Sequence, residues 1–222
     1  MIVSADNERL KLVRKLASRR WREKLGLFVV EGEDLVEAAT AEPVDLLVAG
    51  ENVEPELLAA VSQLAHPPRV IGVFRRADLP GPDARPAGLA LWAVSDPGNV
   101  GTLIRTADAF GAFVALSPGC ADPTGPKALR GSMGAIFRVP LVDYDTAPGR
   151  RVALVAHEGE LLQDVDLAGE ITFVLGSERD GLPRDQVPES YKVARIPIGS
   201  ESLNVAAAGA IALYEWRRQN PG

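Results

Sequence analysis

The chain has 222 residues, 46% hydrophobic and 24% charged, with a formal net charge of −6. That is ordinary for a globular protein with one sizeable core or two small ones. It excludes a chain dominated by disorder or by a disulfide framework, because only one cysteine, Cys120, is present. No apolar run approaches the roughly 20 residues of a membrane helix. The N-terminus shows no basic start followed by an apolar stretch. His66 and His157 lack metal-ligand spacing, so a cytoplasmic protein without a structural metal is expected.

In chain order, Asp6 or Asn7 caps a predicted helix over 8–23, with Leu10, Val13, Leu16 and Ala17 as its apolar stripe. This segment is strongly basic. Arg9, Lys11, Arg14, Lys15, Arg19, Arg20, Arg22 and Lys24 face a single acid, Glu23. On its own such a run reads first as a solvated amphipathic helix face, although a concentrated patch can also bind phosphates locally, since screening confines each charge to about 8–10 Å. A strand over 27–30, a helix over 34–40, a strand over 44–49, a helix over 55–65 and a strand over 70–74 complete a small α/β domain. Three prolines and two glycines then crowd residues 79–88, a predicted linker. Beyond it, strands over 89–94, 113–116, 136–139, 152–156, 172–175 and 193–196 are interspersed with helices over 100–110 and 203–218. This pattern predicts a mostly parallel sheet buried on both faces. Ligands on such sheets sit in loops at the C-terminal strand ends.

Three of those loops carry the chemistry. The first, Ser95 to Ala107, puts Asn99 at a helix N-terminus and Arg105 nearly two turns on. The second, Val174 to Pro183, runs from a strand into a turn with two glycines and Glu178, and glycine permits close backbone approach to a ligand. The third, Ile196 to Ala210, is an extended proline loop entering a helix of small residues, with Ser202 as the expected N-cap. Read singly, these are a capped helix, a tight turn and another capped helix.

Together they resemble the signature motifs of the SpoU (TrmH-like) branch of the SPOUT RNA methyltransferases. Asn99, Gly101, Arg105 and Ala107 match Asn-x-Gly-x-x-x-Arg-x-Ala. Gly176, Glu178, Gly181 and Leu182 match Gly-x-Glu-x-x-Gly-Leu. Ile196, Pro197, Ser202, Leu203, Asn204 and Val205 match Ile-Pro followed by Ser-Leu-Asn-Val. Asp122-Pro123 and the segment Pro126 to Ala135 also look like the family. Upstream, Arg20 to Lys24 followed by Phe28 to Gly32 looks like the L30e-like substrate-binding domain of many members. The resemblance implies an L30e-like domain over 1–78, a linker over 79–88 and a SPOUT domain over 89–222 with a C-terminal trefoil knot. It implies a homodimer with the site near the subunit interface.

The activity implied is 2′-O-methylation of a ribose in structured RNA from S-adenosylmethionine. Ribosomal RNA is favoured over transfer RNA because a docking module suits a large folded substrate; a catalytically silent RNA-binding or ribosome-assembly factor is the alternative. By resemblance, Leu175, Gly176, Ile196, Ile198, Leu203 and Val205 hold the methyl donor. Asn99, Arg105, Glu178, Ser202 and Asn204 form the reaction centre. Arg14, Arg19, Arg20, Arg22 and Lys24 become an RNA-docking surface. A guanidinium stays charged in nearly every protein site, so Arg105 is expected to act electrostatically rather than as a base. A nicotinamide enzyme is disfavoured, because Asp96 to Gly101 does not supply Gly-x-Gly-x-x-Gly. Arg179 either reaches RNA phosphate or decorates its turn, and Cys120 and His157 are taken as structural.

Overall fold

The computed structural model describes residues 1–221. The small domain begins with α1 (Glu8–Leu16) and α2 (Arg19–Leu25), followed by β1 (Leu27–Glu31), α3 (Glu33–Glu37), β2 (Asp45–Val48), α4 (Pro55–Ala59) and β3 (Val70–Arg75). Its sheet is antiparallel in the order β1-β3-β2. The predicted single basic helix is therefore two. Asn7 caps α1 by accepting from the Arg9 N–H, and extended backbone at Ser18 breaks the run before α2. The helix predicted over 55–65 ends at Ala59.

Alternation along β1 and β3 gives this sheet two working faces. Val29, Ile71 and Val73 point into the small domain's own core with Leu10, Val13, Leu16, Leu47 and Leu58. Phe28, Val30 and Phe74 point the other way, into the core of the large domain. There Phe74 meets Phe137 edge-on at 5.1 Å between ring centroids, and Phe28 lies 6.0 Å from Phe137. The two domains thus share one hydrophobic core across residues 79–86, the irregular link that ends where β4 starts.

The large domain contains β4 (Ala87–Leu91), α5 (Pro97–Phe110), β5 (Phe113–Leu116), α6 (Pro126–Ser132), β6 (Leu141–Asp143), β7 (Arg150–Leu154), β8 (Glu160–Leu161), β9 (Ile171–Leu175), β10 (Lys192–Arg195) and α7 (Val205–Gln219). Its seven strands pair in parallel in the order β6-β5-β4-β9-β7-β10-β8. The strand predicted over 136–139 is instead a 3₁₀ turn at Ala135–Phe137, and the strand follows at β6. The turn serves Phe137, which it delivers to the aromatic cluster.

α5 packs against α6 and α7. The α5–α6 contact depends on Gly101: a Cβ there would lie 2.3 Å from the Ala128 carbonyl oxygen and 3.0 Å from the Gly131 Cα. The glycine of the first motif is therefore a helix-crossing residue. From β4 the chain moves outward to β5 and β6, and later returns so that β9 inserts between β4 and β7. The switch in strand order falls between β4 and β9, where ligand crevices form in open parallel sheets.

Candidate active site

Three loops converge at that switch. Asp96 and Pro97 start α5 in the favoured way, a carboxylate at the N-cap and proline at the first helical position. Asp96 Oδ1 accepts from the N–H groups of Gly98 (2.6 Å) and Asn99 (3.1 Å), and Lys127 Nζ lies 2.9 Å from Asp96 Oδ2. This fixes the Asn99 side chain at the mouth of the crevice.

Asn99 is the hub of a three-residue array. Its Nδ2 donates to Glu178 Oε1 at 2.9 Å, and its Oδ1 accepts from Asn204 Nδ2 at 3.1 Å. Glu178 also accepts from the backbone N–H groups of Ser95 (3.2 Å) and Asp96 (3.1 Å). Asn204, not the expected Ser202, caps α7, its Oδ1 accepting from the N–H groups of Ala206 and Ala207. Each motif loop therefore contributes one side chain to a continuous hydrogen-bonded chain. Partial burial works to raise the Glu178 pKa, but the bonds from Asn99 and from the backbone outweigh it and hold the carboxyl below the usual range. Glu178 is ionised, with both oxygens engaged.

The Glu178 turn is closed by paired Ser177 and Gly181 backbone bonds of 3.0 and 3.2 Å. A Cβ on Gly176 would sit 2.1 Å from the Gly181 carbonyl carbon, so only glycine allows the turn to fold back on the strand end.

Beside the array lies a cleft of about 580 Å³. Leu175, Gly176, Ile196, Ile198, Leu203 and Val205, all expected to hold the donor, line it, as do Glu178, Ser202 and Asn204. Leu154, Val155 and Ala156 line it too and were not anticipated; their signal was position alone, because they leave the C-terminal end of β7, whereas Leu182, also in the lining, belongs to the second motif. Arg179 is also a lining residue. Arg105 is exposed on α5 and is not among the lining residues of its own chain's cleft.

The expected docking residues divide. Arg14, Arg19, Arg20 and Lys24 are exposed. Arg22 is not: its side chain is 6% exposed and pairs with the equally buried Asp122 at 2.8 Å. Arg22 Nη1 donates to the Leu16 and Ala17 carbonyls at the end of α1, and Asp122 receives Thr124 and, at 3.4 Å, Arg76. The assignment of Arg22 to RNA is therefore corrected: it is an interdomain residue, because docking of the large domain covers its face of α2. Trp21 was not anticipated either; it lies between Lys15 and Lys24, with ammonium nitrogens 5.7 and 4.9 Å from the ring centroid.

Fold and site together define a SPOUT-type methyltransferase domain carrying an appended α/β module. The chain belongs to the SpoU rRNA Methylase family, whose model matches residues 86–214, and an MRM3-like substrate binding domain model matches residues 7–76. It is 32% identical to the 23S rRNA (guanosine(2553)-2'-O)-methyltransferase RlmP of Bacillus subtilis, over 97% of this chain and 98% of that protein. It is similar to the mitochondrial rRNA methyltransferase 3 of Mus musculus at 32% identity, over 91% of this chain and 70% of that one. Among solved structures, the AdoMet-bound rRNA methyltransferase from Sinorhizobium meliloti superposes with a TM-score of 0.87 at 27% identity, covering 100% of this chain and 98% of that one.

Proposed function

We propose that this protein transfers the methyl group of S-adenosylmethionine to a ribose 2′-oxygen of ribosomal RNA. The observation that carries the reading is the Asn204–Asn99–Glu178 array beside a cleft with both apolar and polar walls, which Glu178 and Asn204 themselves line. The cleft suits the donor: its volume lies in the range of sites for ligands of that size, and its walls at Leu175, Ile196, Ile198, Leu203 and Val205 suit an adenine ring. When bound, S-adenosylmethionine supplies an electrophilic methyl carbon on a sulfonium leaving group.

The protein's task is then to position the ribose hydroxyl and to steady charge developing on its oxygen. Glu178, already ionised and fully hydrogen-bonded, holds the β4 and β9 loops together and is not a proton acceptor. Asn99, oriented from both sides, sets the edge against which the ribose docks. Ser202 borders the same mouth. Arg105 acts as the electrostatic partner of the reacting oxygen and its phosphate. Because Arg105 stands outside its own cleft, we assign the working unit to a homodimer that closes the site. Exposed Ile211 and Tyr214 on α7, beside α5, support an interface there. We assign the family's trefoil knot to the segment from β9 through α7, which supplies most of the cleft wall. The small domain, with exposed Arg14, Arg19, Arg20 and Lys24, docks the RNA. Among the described residues no helix is long and apolar enough to cross a membrane, and we place the reaction in the cytoplasm with its RNA.

The test is transfer of labelled methyl from S-adenosylmethionine to unmodified ribosomal and transfer RNA pools, followed by nucleoside digestion. A labelled 2′-O-methylnucleoside from ribosomal RNA is expected. Label in transfer RNA alone would reassign the substrate, and label on a base would overturn the ribose chemistry. Donor and RNA binding without transfer would favour a silent assembly factor.

A further inference from the structure

A second crevice opens at the C-terminal ends of the strands of the large sheet, on the other side of β4 from the cleft. It has a volume of about 480 Å³ and lies between the two domains, with Arg19 and Arg76 on one side and Leu116, Ser117, Leu141 and Thr146 on the other. We propose that this groove binds the sugar–phosphate strand of the substrate RNA next to the methylated nucleotide. The proposal rests on the RNA methyltransferase reading above.

The groove and the catalytic cleft share a wall. The loop that leaves β4 is stitched to the groove side, where Ala93 N–H donates to Ser117 Oγ at 2.9 Å and the Val94 carbonyl accepts from Ala121 N–H at 2.9 Å. Two residues later the same loop is stitched to the cleft side, where Ser95 and Asp96 donate to Glu178. In the sheet, β5 beneath the groove and β9 beneath the cleft flank β4. The nearest walls of the two sites, at β5 and β9, are thus two strand spacings, about 10 Å, apart. A strand whose target ribose sits at Asn99 and that runs on towards the small domain crosses this loop into the groove.

The chemistry of the lining fits an RNA strand better than a free anion. Arg19 and Arg76, with side chains 57% and 31% exposed, present guanidinium edges suited to phosphate. Leu116, Leu141 and Pro123 make an apolar wall for a sugar face or base. Asp143 also lines the groove. It would repel an inorganic anion, but it accepts a hydrogen bond from a ribose hydroxyl or an exocyclic amine, both of which RNA carries. Arg19 continues the exposed basic surface of α2, so the groove joins the docking face to the active site. Domain docking creates it, since each wall belongs to a different domain.

Two variants test the assignment in the full-length protein. Thr146→Trp fills the groove from an exposed lip, where the Thr146 hydroxyl bonds only the carbonyl of Asp143. Arg19→Ala removes one cation, along with its bonds to Glu23 and the Cys120 carbonyl. With in-vitro-transcribed ribosomal RNA, both are expected to raise KM for RNA at least tenfold while S-adenosylmethionine affinity and melting temperature stay at wild-type values. Arg19→Ala should also flatten the salt dependence of RNA affinity by about 0.7–0.9 in log–log slope, the signature of one lost phosphate contact, and Arg19→Lys should restore it. Unchanged KM and slope in both variants, beside an active wild type, would overturn the groove. A wild type that binds the donor but methylates no RNA would sink the activity reading instead. The groove is then judged by direct RNA binding of the same variants, unchanged affinity counting against it.

Discussion

Arg22 and Asp122, a hundred positions apart, meet at 2.8 Å with both side chains buried, one from each domain. Breaking such a pair leaves an uncompensated buried charge, a cost of about 3–5 kcal/mol. Arg22→Ala and Asp122→Ala are each expected to destabilise the protein by that amount, with the double variant costing clearly less than the sum. Because Phe28 and Phe74 of the small domain belong to the large domain's core, urea unfolding should be one transition by both circular dichroism and tryptophan fluorescence. Two separated transitions would contradict the shared core.

Acid should attack the same contact. Burial works to raise the Asp122 pKa, but hydrogen bonds from Thr124 and Arg22 and the charge of Arg76 outweigh it and hold the carboxyl below its ordinary 3.8. The folded state therefore takes up this proton at lower pH than the unfolded state. The stabilisation is complete above about pH 4 and lost as pH falls through the depressed folded value. Urea midpoints measured from pH 6 to pH 3 should begin to converge for wild type and Asp122→Asn below about pH 4; a constant gap would refute the linkage.

Asn204 has two separable tasks. Asparagine and aspartate cap helices about equally well, so Asn204→Asp should keep α7 and the melting temperature. It replaces the donor facing Asn99 Oδ1 with an acceptor, so Asn99 must turn and release Glu178. Turnover is expected to fall at least tenfold with stability within about 0.5 kcal/mol of wild type. Asn204→Ala should lose turnover and about 1 kcal/mol of stability together. Calorimetry alongside a methyl-transfer assay separates the two, and full activity in Asn204→Asp would remove Asn99 orientation from the mechanism.

Arg105 is exposed on α5 and forms no ion pair among the described residues. Arg105→Lys should therefore leave stability within about 0.5 kcal/mol and donor affinity unchanged. The loss falls on kcat, by about 10²-fold, the scale for removing one well-placed electrostatic donor from a transition state. Near-normal turnover would end the electrostatic assignment.

Much of this molecule is readable from short-range pattern. Asp96-Pro97 announces a helix start, the apolar runs 113–116 and 172–175 are strands, and the three motif loops leave strand ends in the order the topology requires. These features depend on residues a few positions apart, so a linear sequence carries them. Even there a local competitor was missed: Asn204 rather than Ser202 caps α7, because the cap is set by which side chain faces the first free N–H groups.

What only the tertiary structure decided are the relationships between distant segments. In the sequence Arg22 is one more cation in a basic run, no different from Arg20. Burial against Asp122 separates them, and burial depends on how the large domain docks on α2. Phe28 and Val29 are neighbours in one strand, yet they enter different cores, because a sheet with two covered faces divides alternate residues between them. The interdomain groove is not legible from any one motif, since its walls come from β3's end, α2, β5, the loop through Pro123 and β6. The motifs named the chemistry locally; the pose of the two domains sets the path by which RNA reaches it.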